Sequence, residues 1–523
     1  MIERLIPKYP TFLVLGFIVV ASGLFILTAG RDAVIVVWAN KFFDGKTDEG
    51  LFEASQIADQ VLGHTLSVWP FFGLSIIMLG IGFAIATIVG HLRATGQSTL
   101  DAYSSAGVAG AEEARFQEPW FGRYFTRFLF AGILVMVFFF LLTLWWDANL
   151  VFLMRAEFDG RTTGAAYETY LMIERILDPL IGAGKFMGMG LLIFGILTGL
   201  ATIIMHLSFQ NRALSSLTRR AVGQDDALQG SEPPRPTIPG ALLNLGIAGL
   251  LVMTLAMPLA FVRSGFIGWA VGKQFDGVVS ETALRVEGIL GRTIDPLTNL
   301  ALGILFFTIA LLLLAIIHEL REQRQGFGEM VSDLSQGAVP RPVVEPSLWP
   351  QRLVPPLAIF GLFVIVFFFF TMTAVRDFNF NTLLTLQFAG NTDGSMFENA
   401  TRLDRMLGPI IGATRFIGIA SLMLAIGLAL VVIVVHLRAT GLLLPMGFSK
   451  VISAARGERP EEGDLSLVEP MSLAPWNTLR PHLVGVAIIV STHTPYRRSA
   501  RGEHSPNAGG TVRRPGGAGS HVG

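Results

Sequence analysis

The sequence predicts an all-α, polytopic integral membrane protein, and three observations carry that prediction. Apolar residues make up 52% of the 523 residues and charged residues only 15%, whereas a soluble domain has about 25% charged residues. Mean hydropathy is +0.57. Long apolar stretches alternate with polar ones, and several landmarks recur about every 115 residues. Such a chain cannot cover its surface with charge in water, which excludes a soluble enzyme and a disordered regulator.

Eight stretches are long and apolar enough to cross a bilayer, which takes about 20 residues. The predicted spans are Thr11–Ala29, Val68–Gly90, Phe128–Trp146, Leu180–Met205, Gly240–Val262, Leu297–Ile317, Val354–Val375 and Ile410–Val435. Helices are predicted because an open strand edge would leave amides unpaired in lipid. The first span resembles a secretory signal peptide, but it belongs to the repeat described next, so we interpret it as a signal anchor.

Two landmarks define the repeat. A histidine ends each even-numbered span, and successive histidines are 115, 112 and 118 residues apart: His91, His206, His318 and His436. A turn motif separates the two spans of each unit: Phe43-Asp44-Gly45, Phe158-Asp159-Gly160, Phe275-Asp276-Gly277 and Phe388-Ala389-Gly390. We expect the glycine of each turn to adopt a positive φ.

These landmarks predict four tandem two-helix units of about 115 residues, at 1–117, 118–231, 232–344 and 345–468. A truncated fifth unit follows at 469–490, and residues 491–523 are interpreted as a disordered or out-of-frame tail. Every unit adds an even number of spans, so all units run parallel. Between its two spans, each unit is expected to hold one short amphipathic helix, and Asp178-Pro179 and Asp295-Pro296 are expected to start even spans.

Basic residues predict the orientation. The connections after even spans carry four, four, four and five Lys or Arg residues, and those after odd spans carry three, three, four and three. The N-terminus and the even connections are therefore predicted to be cytoplasmic, in a multi-pass protein of the cell membrane, taken as a cell inner membrane.

The four repeat histidines are the candidate cofactor ligands, because neutral imidazole binds haem iron and copper. The alternative interpretation is that His91, His206, His318 and His436 anchor helix ends, where a partial negative charge favours them. We expect anchoring, and therefore no cofactor and no metal site. The chain has no cysteine, which excludes disulfides, thiolate metal sites and cysteine nucleophiles.

Acidic residues between the paired spans could in principle bind cations. Their recurring positions are Glu53, Glu168 and Glu398, and then Asp59, Glu174 and Asp404. Carboxylates six residues apart do not share a helix face well, and no calcium-type loop is present. A solvated face, or ion pairs between units through Arg175, Arg292 and Arg405, is the preferred interpretation.

Charges are absent from the centres of the predicted spans, which argues against an ion-coupled transporter. Lys185 and Arg415 lie two turns inside even spans, where we expect them to snorkel outward. No nucleotide, zinc or nucleophile-elbow motif is present, so no catalytic residue is assigned and an enzyme is not favoured.

The function predicted from these observations is a non-catalytic scaffold or accessory subunit of a membrane complex. The alternatives are a transporter or channel with a pore between repeats and, third, a haem-binding electron-transfer subunit. The predicted partners are the lipid bilayer and other membrane subunits, or further copies of the chain. Nucleic acid is not among them, since 39 basic residues balance 39 acidic ones.

Overall fold

A computed structural model describes residues 9–22, 28–45, 50–105, 119–162, 164–221, 238–275, 281–334, 349–391 and 394–455. These residues form helices joined by short turns, with no strand among them. The predicted fifth unit and the tail lie outside the described residues.

Ten α-helices and one π-helical turn follow one another along the described chain. They are α1 (Tyr9–Ser22), α2 (Thr28–Phe43), α3 (Gly50–Ser105), α4 (Trp120–Phe158), α5 (Ala165–Ala221), α6 (Ile238–Phe275), α7 (Glu281–Leu334), α8 (Trp349–Phe370), the π-helical turn (Thr371–Arg376), α9 (Asp377–Phe388) and α10 (Ser395–Ala455).

Six helical stretches are long and apolar enough to cross a membrane, by length and composition, as expected of a multi-pass protein. They are Gly50–Ala94, Trp120–Phe158, Ala165–Asn211, Gly240–Lys273, Glu281–Gln323 and Gln351–Phe388. The other two predicted spans coincide with shorter apolar stretches, Thr11–Ser22 and Ile417–Ile433. The all-helical fold is confirmed, while the count of eight spans stays a prediction.

The long helices α3, α5, α7 and α10 form a row in which each contacts the next. We call them the even helices, and call the segments α1–α2, α4, α6 and α8–α9 the odd helices. Helix α4 contacts α3 and α5, α6 contacts α5 and α7, and α8 contacts α7 and α10. Each of these odd helices therefore packs against two successive even helices.

Helix α5 lies at the centre of the core. In its most apolar 18-residue stretch 89% of the residues are buried, against 28% for α4, α6 and the α8–α9 segment. Gly188 of α5 packs against Met136 of α4, whereas Gly190 packs against Met253 of α6. Two residues correspond to about 200° around a helix, so α4 and α6 contact opposite faces of α5.

The odd helices carry exposed apolar stripes. On α4, Leu134, Phe138, Leu141 and Trp145 are exposed at helical spacing, while Met136 is buried. A continuous apolar stripe on a helix surface is typical of a face that a bilayer or another protein covers.

A close crossing of two glycines holds the odd and even helices of three units together. A Cβ atom added at Gly132 would lie 2.9 Å from the Gly188 carbonyl oxygen. The same crossing joins Gly16 to Gly73 and Gly361 to Gly418. Small residues let backbones approach to contact distance, which is how helices associate in lipid. In residues 232–344, Gly249 instead packs against Leu305.

The glycine turns are confirmed in three units. Gly45, Gly160 and Gly390 have φ values of 70°, 69° and 74°, and Gly277 lies outside the described residues. In two of the turns the residue after the glycine donates to the carbonyl five residues earlier: Arg161 to Ala156 at 2.7 Å, and Asn391 to Leu386 at 2.9 Å. This is a Schellman motif, which ends a helix with a left-handed residue.

The predicted helix starts at Asp178-Pro179 and Asp295-Pro296 are wrong. Both prolines lie inside helices, because α5 begins at Ala165 and α7 at Glu281. The expected short amphipathic helix is the first part of the even helix. In α5, the Tyr167 hydroxyl donates to Glu157 at 2.8 Å, and the Tyr170 ring lies 4.2 Å from the Phe152 ring. These contacts with α4 hold the helix although proline lacks one donor.

Candidate functional site

The four repeat histidines lie in unlike surroundings. His206 of α5 and His436 of α10 are buried, whereas His91 of α3 is exposed. His318 of α7 is exposed, and its Nε2 atom lies 3.0 Å from a carboxylate oxygen of Glu322 one turn away. Within the described ranges, no group of three or more His, Asp or Glu side chains is arranged to hold a metal ion.

Charged contacts between helices form a more regular set. In residues 1–117, the Arg31 guanidinium on α2 donates to Asp59 on α3 at 2.7 Å. In residues 345–468, Arg376 donates to Asp404 on α10 at 3.3 Å. Each arginine stands 14 residues before its turn glycine, and each aspartate stands 14 residues after it. We call this pair the hairpin clamp, because it joins the two helices of one unit.

The other two units carry altered clamps. In residues 118–231 the arginine position is Trp146, and Glu174 lies 3.9 Å from its neighbour Arg175. In residues 232–344 the acidic position is Gly291, and the guanidinium of Arg263 fills the space that a side chain at Gly291 would take.

Sequence inspection missed the arginine of the clamp. The signal was available, because Arg31, Arg263 and Arg376 share one distance from the turn glycine. It was overlooked because the search for intramembrane charges began at the span centres, and these arginines lie at span ends.

The expected ion pairs between units are found for Arg292. Its Nη1 atom donates to Asp404 of the next unit at 3.0 Å, and to the backbone carbonyl of Arg376 at 3.1 Å. Its guanidinium also stacks over the Phe380 ring, 4.1 Å from the centroid. Asp404 thus accepts from its own clamp arginine and from the preceding unit.

The same pairs of elements meet at the other two junctions. The Thr65 hydroxyl on α3 donates to Asp147 on α4 at 3.1 Å. The Ser264 hydroxyl on α6 lies within hydrogen-bond distance, 2.9 Å, of the Ile176 carbonyl on α5. Asp147 and Ser264 each stand 13 residues before their turn glycine. At each junction, therefore, the first half of an even helix docks on the second half of the following odd helix.

Lys185 does not simply extend outward as expected. Its ammonium lies 5.8 Å from the centroid of the Phe71 ring on α3, and it interacts electrostatically with Asp178 and Asp295. Asp295 also interacts with Arg263 and Arg415. Charges from α5, α6, α7 and α10 thus converge in one region of the bundle, which we call the charge cluster.

Comparison with known proteins finds no match for the chain among protein-family models, curated proteins or solved structures. The residues of the chain itself are therefore the basis for any functional assignment.

Proposed function

We propose that this chain is a non-catalytic scaffold or accessory subunit in a membrane complex, built from four parallel two-helix units. The observation that carries the proposal is the docking of each even helix on the following odd helix, at three successive junctions. Side chains at those junctions hold helices together, which is the work of an assembly protein. The glycine crossings and the three equivalent turns support tandem repetition of one unit.

The membrane orientation belongs to the same proposal. We expect the N-terminus and the connections after even helices to be cytoplasmic, and the glycine turns to face the opposite side of a cell inner membrane. Because the chain has no cysteine, single cysteines report their location without interference. Asn391, in a turn, and Gln97, near the other end of α3, are both exposed.

We expect a membrane-impermeant maleimide to label Asn391→Cys in spheroplasts and to label Gln97→Cys only after permeabilisation. Both variants should label fully in detergent, which controls for reactivity. The reverse order of labelling would overturn the orientation, and labelling of both in sealed spheroplasts would overturn the membrane placement.

A transporter or channel is the second candidate, favoured by the charge cluster, because ionisable groups inside a membrane bundle often mark an ion or substrate path. Native mass spectrometry, liposome flux and absorbance of one preparation separate the candidates. The scaffold predicts a complex of fixed protein stoichiometry, no flux above empty liposomes and no haem band. Flux that Lys185→Gln abolishes would establish transport, whereas a reduced-minus-oxidised α-band lost with His206→Gln would establish the haem reading.

A further inference from the structure

The two ends of the row of units are complementary. At the junction of α7 with the next unit, the docking residues are Arg285, Gly288 and Arg292. They stand 8, 11 and 15 residues after position 277. On α10 the same distances after Gly390 fall on Glu398, Thr401 and Arg405. The last even helix thus repeats the register of a docking face, with arginine again at the third position.

The first unit repeats the surface that receives such a face. Arg292 docks on the Arg376–Asp404 clamp, and a complete clamp of arginine with aspartate recurs in Arg31–Asp59. Units 118–231 and 232–344 do not carry that pair in sequence. Among the described elements, α2 packs mainly on α3, and Asp32, Val36 and Asn40 of α2 are exposed.

Charge completes the match. Around Asp404, the cations Arg292 and Arg376 face the anions Asp377 and Asp404, which balances the site. Around Asp59, Arg31 alone faces Asp32 and Asp59. The first unit is therefore one cation short of the fourth at equivalent positions, and an arginine at the position of Arg405 would supply it.

We propose that copies of this chain associate head to tail, with α10 of one copy docked on α2 of the next and Arg405 bound to the clamp aspartate Asp59. The proposal rests on the scaffold function and names its partner as a second copy. Because the units are parallel, two copies inserted alike in one bilayer present these faces at the same depth. The contact is heterologous, so it closes into a ring or continues as a row.

Cysteine cross-linking tests the register directly. Within the chain, the position of Gly288 on α7 meets the Phe380 ring, and the equivalent positions at the ends are Thr401 and Ile35. Two differently tagged chains, one with Thr401→Cys and one with Ile35→Cys, are co-expressed and treated with a short bis-maleimide in the membrane. We expect a heterodimer carrying both tags, and no Thr401→Cys homodimer. A homodimer alone, or no cross-link, would overturn the proposal.

Charge reversal tests the named ion pair. Arg405→Glu on the Thr401→Cys chain is expected to reduce the heterodimer at least fivefold, and Asp59→Arg on the other chain to restore it in part. Asp59→Asn is a milder second variant if Asp59→Arg disturbs the Arg31 clamp. Arg161→Glu, the same charge change at an exposed turn residue, should leave the yield unchanged. Equal losses with Arg161→Glu and Arg405→Glu would refute the pair.

The outcome separates this inference from the scaffold function. A complex of fixed stoichiometry with other subunits, but no head-to-tail cross-link, leaves the scaffold function standing and removes self-association. Flux that depends on Lys185, with no complex, removes both.

Discussion

Leucine at Gly188 is expected to cost the bundle about 3 kcal/mol or more, because the α4–α5 crossing has no room for a side chain. A Cβ atom there would lie 2.7 Å from the Met136 side chain and 3.2 Å from the Gly132 carbonyl oxygen. A side chain can rotate away, but a carbonyl moves only with its helix. The two helices must therefore separate, and Leu192, packed beside the crossing, loses its contact with Gly132.

The measurement is unfolding of the purified chain in mixed detergent micelles, followed by intrinsic fluorescence. The matched control is Gly182→Leu on the same helix, where an added Cβ atom meets nothing within 4 Å. Leucine favours helix over glycine by roughly 1 kcal/mol at both sites, so the control isolates the crossing. Equal stability of the two variants would mean that the helices do not approach as closely as described.

Glutamine at Arg292 is the second large perturbation, and we expect it to lower the free energy of unfolding by about 2 kcal/mol. Removing one partner of a fully buried ion pair costs roughly 3–5 kcal/mol. The Arg292 and Asp404 side chains remain 17% and 23% exposed, so solvent reduces that cost. The loss should fall on the junction between residues 232–344 and 345–468.

A double-mutant cycle with Asp404→Asn isolates the pair. A coupling energy of about 1–2 kcal/mol is expected, within the range for residues in one ion-pair network. Arg161→Gln is the control, because Arg161 and Asp159 form an exposed pair, worth under about 1 kcal/mol. Additivity of Arg292→Gln and Asp404→Asn would show that the contact does not hold the junction.

Local features of the fold could be predicted from sequence. Apolar length alone located the spans, because lipid leaves the backbone no alternative to helix. Positive φ at Gly45, Gly160 and Gly390 followed from residue type, since only glycine adopts this conformation without strain.

The errors arose where tertiary contacts override local preference. Asp178-Pro179 carries a helix-start signal, but Tyr167 and Tyr170 pack on α4 and extend the helix through it. The Lys185 environment depends on which helices are neighbours, which a periodicity does not contain. The clamp arginines stood in register in the sequence, but their partners were identifiable only once α2 and α3 were seen to pair.

The length of the even helices has a consequence for the lipid. Helix α5 has 57 residues, about 85 Å at 1.5 Å per residue, against a hydrocarbon core of about 30 Å. The apolar stretch of such a helix merges into polar turns without a break. A thicker or thinner bilayer therefore moves its boundary along a continuous rod instead of past a helix end. Hydrophobic mismatch should be absorbed at small cost, and the protein should tolerate membranes that differ by several ångströms.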